Sequence, residues 1–158
     1  MTEINYAFRE RMLKAHTPGF RDNDQWERVA GTLVTDAWEI VYPECCEEVL
    51  EYAAKDLQEF LSVSMCVFVR ARRVKDIEAE LVHRNNKILL YVGEVEAKED
   101  LAYRIKTDDD AIAVAGRTPR AVAQGVYFIE DRMRAHLGPV IEYLDETRKP
   151  LFPTRMIH

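Results

Sequence analysis

A strand–helix–strand run between residues 38 and 71 restricts the fold more than any other feature of this sequence. Trp38-Glu39-Ile40-Val41-Tyr42 is rich in aromatic and β-branched residues and is closed by Pro43, which reads as a strand. Leu50, Ala53, Leu57, Phe60 and Leu61 then share one face of a helix predicted over residues 44–63, while Glu47, Glu48, Glu51, Lys55 and Glu59 lie mostly elsewhere. Its acidic first turn suits the positive end of the helix dipole. Cys66-Val67-Phe68-Val69-Arg70-Ala71 reads as the second strand. Strands joined by a helical crossover run parallel, and the connection is right-handed, so two parallel neighbours are expected here.

The rest of the chain extends that sheet. The nearly continuous apolar run Lys87–Gly93 predicts a central strand, buried on both faces. Leu101–Lys106 and Ala111–Ala115 alternate around the aspartates Asp108, Asp109 and Asp110, the pattern of a hairpin. Thr118 is then placed to cap a helix whose first residue is Pro119 and which runs to about Arg134. Val122, Val126, Ile129 and Met133 form its buried stripe. Residues 72–86 are charged and read as a loop with a weak helical turn around Ile77 and Leu81. Residues 31–41 have room for one or two short strands, Phe20–Trp26 reads as a loop, and Val140–His158 has no long periodic segment.

Upstream, Ile4, Phe8, Met12 and Ala15 make an apolar stripe on a short helix that ends at Thr17-Pro18-Gly19. The chain therefore divides into an N-terminal helical extension over 1–30, an α+β domain over 31–145 and a connector over 146–158. The expected fold class is α+β: a mixed β-sheet with two main helices on one face. The 158 residues suit one core rather than two.

With 47% hydrophobic and 32% charged residues, the composition is that of a folding chain. A formal charge of −6 disfavours nucleic acid and anionic membranes, which bind clustered, uncompensated Lys and Arg. The densest basic run, Arg70, Arg72, Arg73 and Lys75, reads as a solvated loop. Charged residues scattered through Met1–Lys14 leave no secretory or membrane-spanning stretch, and the three cysteines fit reduced thiols, so a cytoplasmic location is expected.

Candidate chemistry is sparse. Cys45 and Cys46, near a helix N-terminus, invite a thiol-enzyme reading, but there is no C-x-x-C motif and no histidine beside them in sequence. His16, His83, His136 and His158 are scattered without zinc-ligand spacing, and Asp108–Asp110 lacks the glycine and distal glutamate of a calcium loop. No metal site and no cofactor is expected. Pairs such as Glu47 with Glu51 or Glu94 with Glu96 arise by chance in an acidic chain, and Gly116 with Gly125 makes no dinucleotide fingerprint. No residue of this chain is assigned a catalytic role.

The order of these segments resembles the non-catalytic N-terminal α+β domain of glycoside hydrolases of families 20 and 67. The pieces are the strand at 38–43, the helix with Ala53, Ala54, Leu57 and Leu61 on one face, the strand ending at Gly93, the hairpin, and the helix containing Gly125-Val126-Tyr127. The resemblance implies a topology like that of the zincins without their zinc motif, and a domain with no catalysis of its own. It implies as partner a (β/α)₈ glycosidase barrel, hexosaminidase-like or glucuronidase-like, through which alone carbohydrate would be engaged. Residues 150–155 resemble the start of the first barrel strand, where the family's F-P-x-R arginine binds sugar hydroxyls; that residue would be Arg155, provided a barrel follows. A free-standing interaction or oligomerisation module with the same fold is the alternative.

Overall fold

The computed structural model describes residues 15–150. In chain order these form α1 (Asn23–Trp26), β1 (Gly31–Leu33), β2 (Glu39–Pro43), α2 (Glu48–Met65), β3 (Arg70–Val74) and α3 (Ile77–Val82). Then come β4 (Lys87–Val92), β5 (Tyr103–Thr107), β6 (Ala111–Gly116), α4 (Pro119–His136), β7 (Val140–Glu142) and β8 (Asp145–Arg148). The main sheet has strand order β3-β2-β4-β6-β5-β8. Its first four strands are mutually parallel, whereas β5 runs antiparallel to both β6 and β8. A second, two-stranded sheet pairs β1 with β7. The α+β class with a mixed sheet is thus the architecture of the chain.

Why these segments take these forms follows from where they lie. Every residue of β6 is buried, and Ile88, Leu89 and Leu90 of β4 are fully shielded, so the two centre strands carry apolar side chains on both faces. Helices α2 and α4 cover one face: Leu57, Phe60 and Leu61 meet Val126, Ile129 and Met133 above Ile40, Ile88 and Ile112. The short α3 covers part of the other face, where Ile77 and Leu81 pack on Val41, Val74 and Leu89.

The start of α4 is fixed by its cap. Thr118 Oγ1 accepts the Ala121 backbone N–H at 3.2 Å and donates to the Asp100 carbonyl at 2.8 Å, while Pro119 occupies a position that needs no N–H. Thr118→Ala should cost about 1–2 kcal/mol in chemical denaturation, because an orphan amide and the tie to Asp100 are both lost. Thr118→Ser should retain most of that stability.

The structure also corrects the sequence reading. The second strand begins at Arg70, not Cys66. Cys66 adopts a left-handed conformation (φ 54°) that ends α2, with the Val67 N–H closing on Leu61 O at 2.9 Å. The next backbone groups are claimed by side chains: Asp36 accepts from Phe68 N at 2.8 Å and Gln58 donates to Val69 O at 2.9 Å. Arg70, Arg72 and Arg73 of the basic run consequently lie in the edge strand β3 and not in a loop, and Lys75 follows it. An edge paired only to β2 tolerates charge that an interior strand would not. Phe20–Trp26 contains α1, capped by Asp22, and the tail contributes β7 and β8. Residues 146–148, assigned to a connector by sequence, are part of β8. The helix expected from Ile4, and Arg155 at the other end, lie outside the described residues.

Candidate functional site

The residues singled out in the sequence fall in different places, and most are occupied by structural contacts. Cys45 and Cys66 are exposed and Cys46 is half-buried. Burial, with Glu51 nearby, pushes the Cys46 thiol up, the reverse of what a thiolate nucleophile needs. Asp108 is engaged by Arg84 at 3.3 Å and by the Asp110 N–H at 3.1 Å, and Asp109 accepts from Tyr143, so the hairpin turn is held by protein donors. Nε2 of His136 lies 2.8 Å from Glu142.

The basic strand β3 is woven into ion pairs. Arg72 donates to Glu39 at 2.8 Å and to Glu80 at 3.1 Å, and Lys87 reaches Glu80 at 2.6 Å. Hydrogen bonds from Arg72 hold both carboxyls below the ordinary range. Arg73 pairs with Glu51, which also meets Lys55 at 2.7 Å. The network compensates the very charges that a polyanion would require, and it joins β2, β3, α3 and β4.

Sequence reasoning missed a buried polar cluster, which sits where α2, α4 and the segment preceding α1 converge. Asp56 projects from α2, Glu130 and Arg134 from α4, and His16 from the lead-in segment. Nε2 of His16 lies 2.8 Å from Asp56 Oδ1. Nη2 of Arg134 lies 3.3 Å from Glu130 Oε2 and 3.4 Å from His16 Nδ1. An arginine only donates, so His16 Nδ1 accepts and Nε2 carries the proton given to Asp56. Phe60 floors the cluster, with the Arg134 guanidinium 4.8 Å from its ring centroid and the His16 ring edge-on at 5.5 Å. Ser64 Oγ donates to Thr17 O at 2.9 Å and fastens the same segment one turn further along.

Glu130 is 2% exposed and its Oε1 has no hydrogen-bond partner. Burial, and next the Asp56 carboxylate, push its carboxyl up to about 8. This environment favours the protonated acid over the carboxylate. Ligand atoms of His16, Asp56 and Glu130 lie within 4.8 Å of one another, near enough to surround a cation. The donor set does not favour one. His16 Nε2 is committed to Asp56, and the Arg134 guanidinium already supplies the positive charge a metal would bring.

Beside the cluster, Val49, Tyr52, Ala53, Asp56, Ala123 and Tyr127 line an open groove of about 470 Å³ between α2 and α4. Tyr52 is 64% exposed and Tyr127 46%. The groove has aromatic walls, and Lys55, Asp56 and Glu59 bring one cation and two carboxylates to it. Glu130 is enclosed in the helix seam, whereas Asp56 opens onto the groove.

No protein-family model matches the chain, and no curated protein matches it in sequence. Solved structures do. The chain is similar to a β-N-acetylhexosaminidase of glycoside hydrolase family 20 from Streptomyces coelicolor A3(2), with a TM-score of 0.56 and 13% identity over 75% of this chain and 23% of that one. It is similar also to a family 138 enzyme targeting pectin rhamnogalacturonan II, with a TM-score of 0.53 and 17% identity over 71% of this chain and 15% of that one. A third is the N-acetyl-β-hexosaminidase of Streptomyces plicatus, with a TM-score of 0.51 and 12% identity over 75% of this chain and 23% of that one. The fold recurs as a minor part of glycoside hydrolases. At such identities the likeness concerns the fold alone, and the chain spans less than a quarter of each relative's length.

Proposed function

We propose that this chain is the non-catalytic accessory domain of a longer carbohydrate-active hydrolase, of hexosaminidase or glucuronidase type. The observation that carries the reading is the match of most of this chain to a minor part of several glycosidases. The partner is a glycosidase barrel, and the α2–α4 groove with Tyr52 and Tyr127 offers it a face of aromatic side chains that can bury area at low entropic cost. Arg155 would bind sugar hydroxyls in that barrel, and carbohydrate would be handled only there.

The test is hydrolysis of a panel of chromogenic hexosaminides and glucuronides by the 158-residue chain, beside the same chain extended through whatever coding sequence follows. Turnover by the extended protein alone is expected. Turnover by the short chain would overturn the proposal, as would an extension without any glycosidase activity.

A second reading, a free-standing module that associates with itself, draws on the exposed Phe68 and Val82, 66% and 75% accessible. Light scattering separates the two. A short chain that is a dimer and an extended protein that is a monomer favour the accessory domain; a dimer in both favours the module.

A further inference from the structure

Glu130 is a buried carboxyl whose ion pair, with Arg134 at 3.3 Å, engages only one of its two oxygens. It is buried against α2, one of its oxygens is orphaned, and among the described residues its countercharge is the Arg134 guanidinium one turn along the same helix. The groups facing it are Asp56 from α2, His16 behind Asp56 from the lead-in segment, and Tyr127 and Arg134 from α4. Asp131 draws on the same guanidinium at 3.1 Å, which further dilutes the compensation. The strands beneath present apolar side chains. The neighbouring Asp56 carboxylate and the burial of Glu130 both disfavour ionisation of Glu130.

We propose that Glu130 and Asp56 hold a single proton between them across the α2–α4 seam, and that its release to solvent unlatches the segment fastened at His16. With the proton present, Glu130 is neutral and Asp56 remains the acceptor for His16 Nε2–H. Once it leaves, two carboxylates face one shared guanidinium. Asp56 lies on the rim of the open groove and is the group free to swing toward water, and its movement breaks the bond to His16. The device is independent of the functional reading given above.

The sign follows from linkage. A carboxyl whose folded-state value is raised above its unfolded one keeps its proton in the folded state after the unfolded chain has lost it. Stability contributed by that proton is complete at low pH and is lost as pH climbs from the ordinary carboxyl value of 4.5 toward about 8. The carboxyls that Arg72 holds low contribute with the opposite sign, since their stability is lost as pH falls. Taking the difference between wild type and variant removes the contributions that the two share.

The experiment is denaturant unfolding of the full chain and of Glu130→Gln at half-unit steps from pH 5 to pH 9, together with amide hydrogen exchange over residues 15–20, corrected for its intrinsic pH dependence. Glutamine mimics the protonated acid. The wild-type unfolding constant should grow relative to the variant's by roughly tenfold per pH unit through the middle of the window. Exchange at residues 15–20 should accelerate by about tenfold or more in the wild type from pH 5.5 to pH 8.5, in step with a rise in the open population, and stay level in the variant. Parallel stability profiles overturn the shared proton. A diverging profile without faster exchange at residues 15–20 overturns the latch. Should Glu130→Gln fail to fold, Asp56→Asn serves instead: with its like-charged neighbour gone, Glu130 should titrate lower and the fall in stability should begin at lower pH. An unchanged profile in that variant counts against the pair.

Discussion

Phe60→Ala should remove about 3–5 kcal/mol of folding stability, the range for deleting a fully enclosed aromatic ring. Phe60 is completely buried in the cluster that joins α2, α4 and the sheet. Two losses coincide there. The apolar contacts beneath the ring disappear, and the face on which the Arg134 guanidinium rests at 4.8 Å disappears with them. His16 loses its edge-on neighbour, so water gains a route to the orphaned Glu130 oxygen. Phe60→Leu should cost far less, about 1–1.5 kcal/mol, since it retains volume but not the ring face. Urea or guanidinium unfolding with unchanged slope checks both. A loss below about 1 kcal/mol for the alanine variant would mean that the seam between the two helices is looser than its geometry implies.

The parts of this fold that were readable from sequence are those whose burial is one-dimensional. β4 and β6 are apolar because both of their faces are covered, and the stripes of α2 and α4 repeat at helical spacing because each faces the sheet. The parts that were missed depend on partners distant in sequence. β8 is Asp-Glu-Thr-Arg, with no apolar residue to announce it; it exists because the edge of β5 offers it a ladder. β3 was placed too early because Val67, Phe68 and Val69 look like strand, yet Asp36 and Gln58 hold their backbone and Cys66 turns the chain before pairing can begin.

The buried cluster was hidden for the same reason. Its bonds link His16 to Asp56 across 40 residues and to Arg134 across 118. One local sign did exist. Glu130 sits four residues after Val126 and three before Met133, on the edge of the buried stripe, so the helical repeat that located the core of α4 also carried a carboxyl into it. An acid on an apolar stripe is the kind of local conflict that marks a strained or functional position.

Gly125→Ala is expected to destabilise the protein by about 1–3 kcal/mol, although alanine is the better helix former by about 1 kcal/mol. The sign is decided by where α4 crosses β6. A Cβ added at Gly125 would lie 2.4 Å from Val114 Cγ1 and 3.2 Å from Tyr103 Cδ2. Val114 is fully buried in a central strand, and a β-branched side chain there has little freedom to turn aside. The helix must lift or the strand must shift, and either disturbs packing along the whole α4–sheet contact. The clash is with one side chain, which makes the prediction reversible. In a Val114→Ala background the obstruction is gone, and Gly125→Ala should become neutral or stabilising as the helix-propensity gain emerges and part of the cavity is filled. A double-mutant cycle on denaturant unfolding reads this as a coupling of about 1–3 kcal/mol in favour of the double variant. A stabilising Gly125→Ala in the wild-type background would place α4 farther from the sheet than this geometry allows. An additive cycle would mean that the cost arises from the backbone of the helix rather than from its approach to Val114.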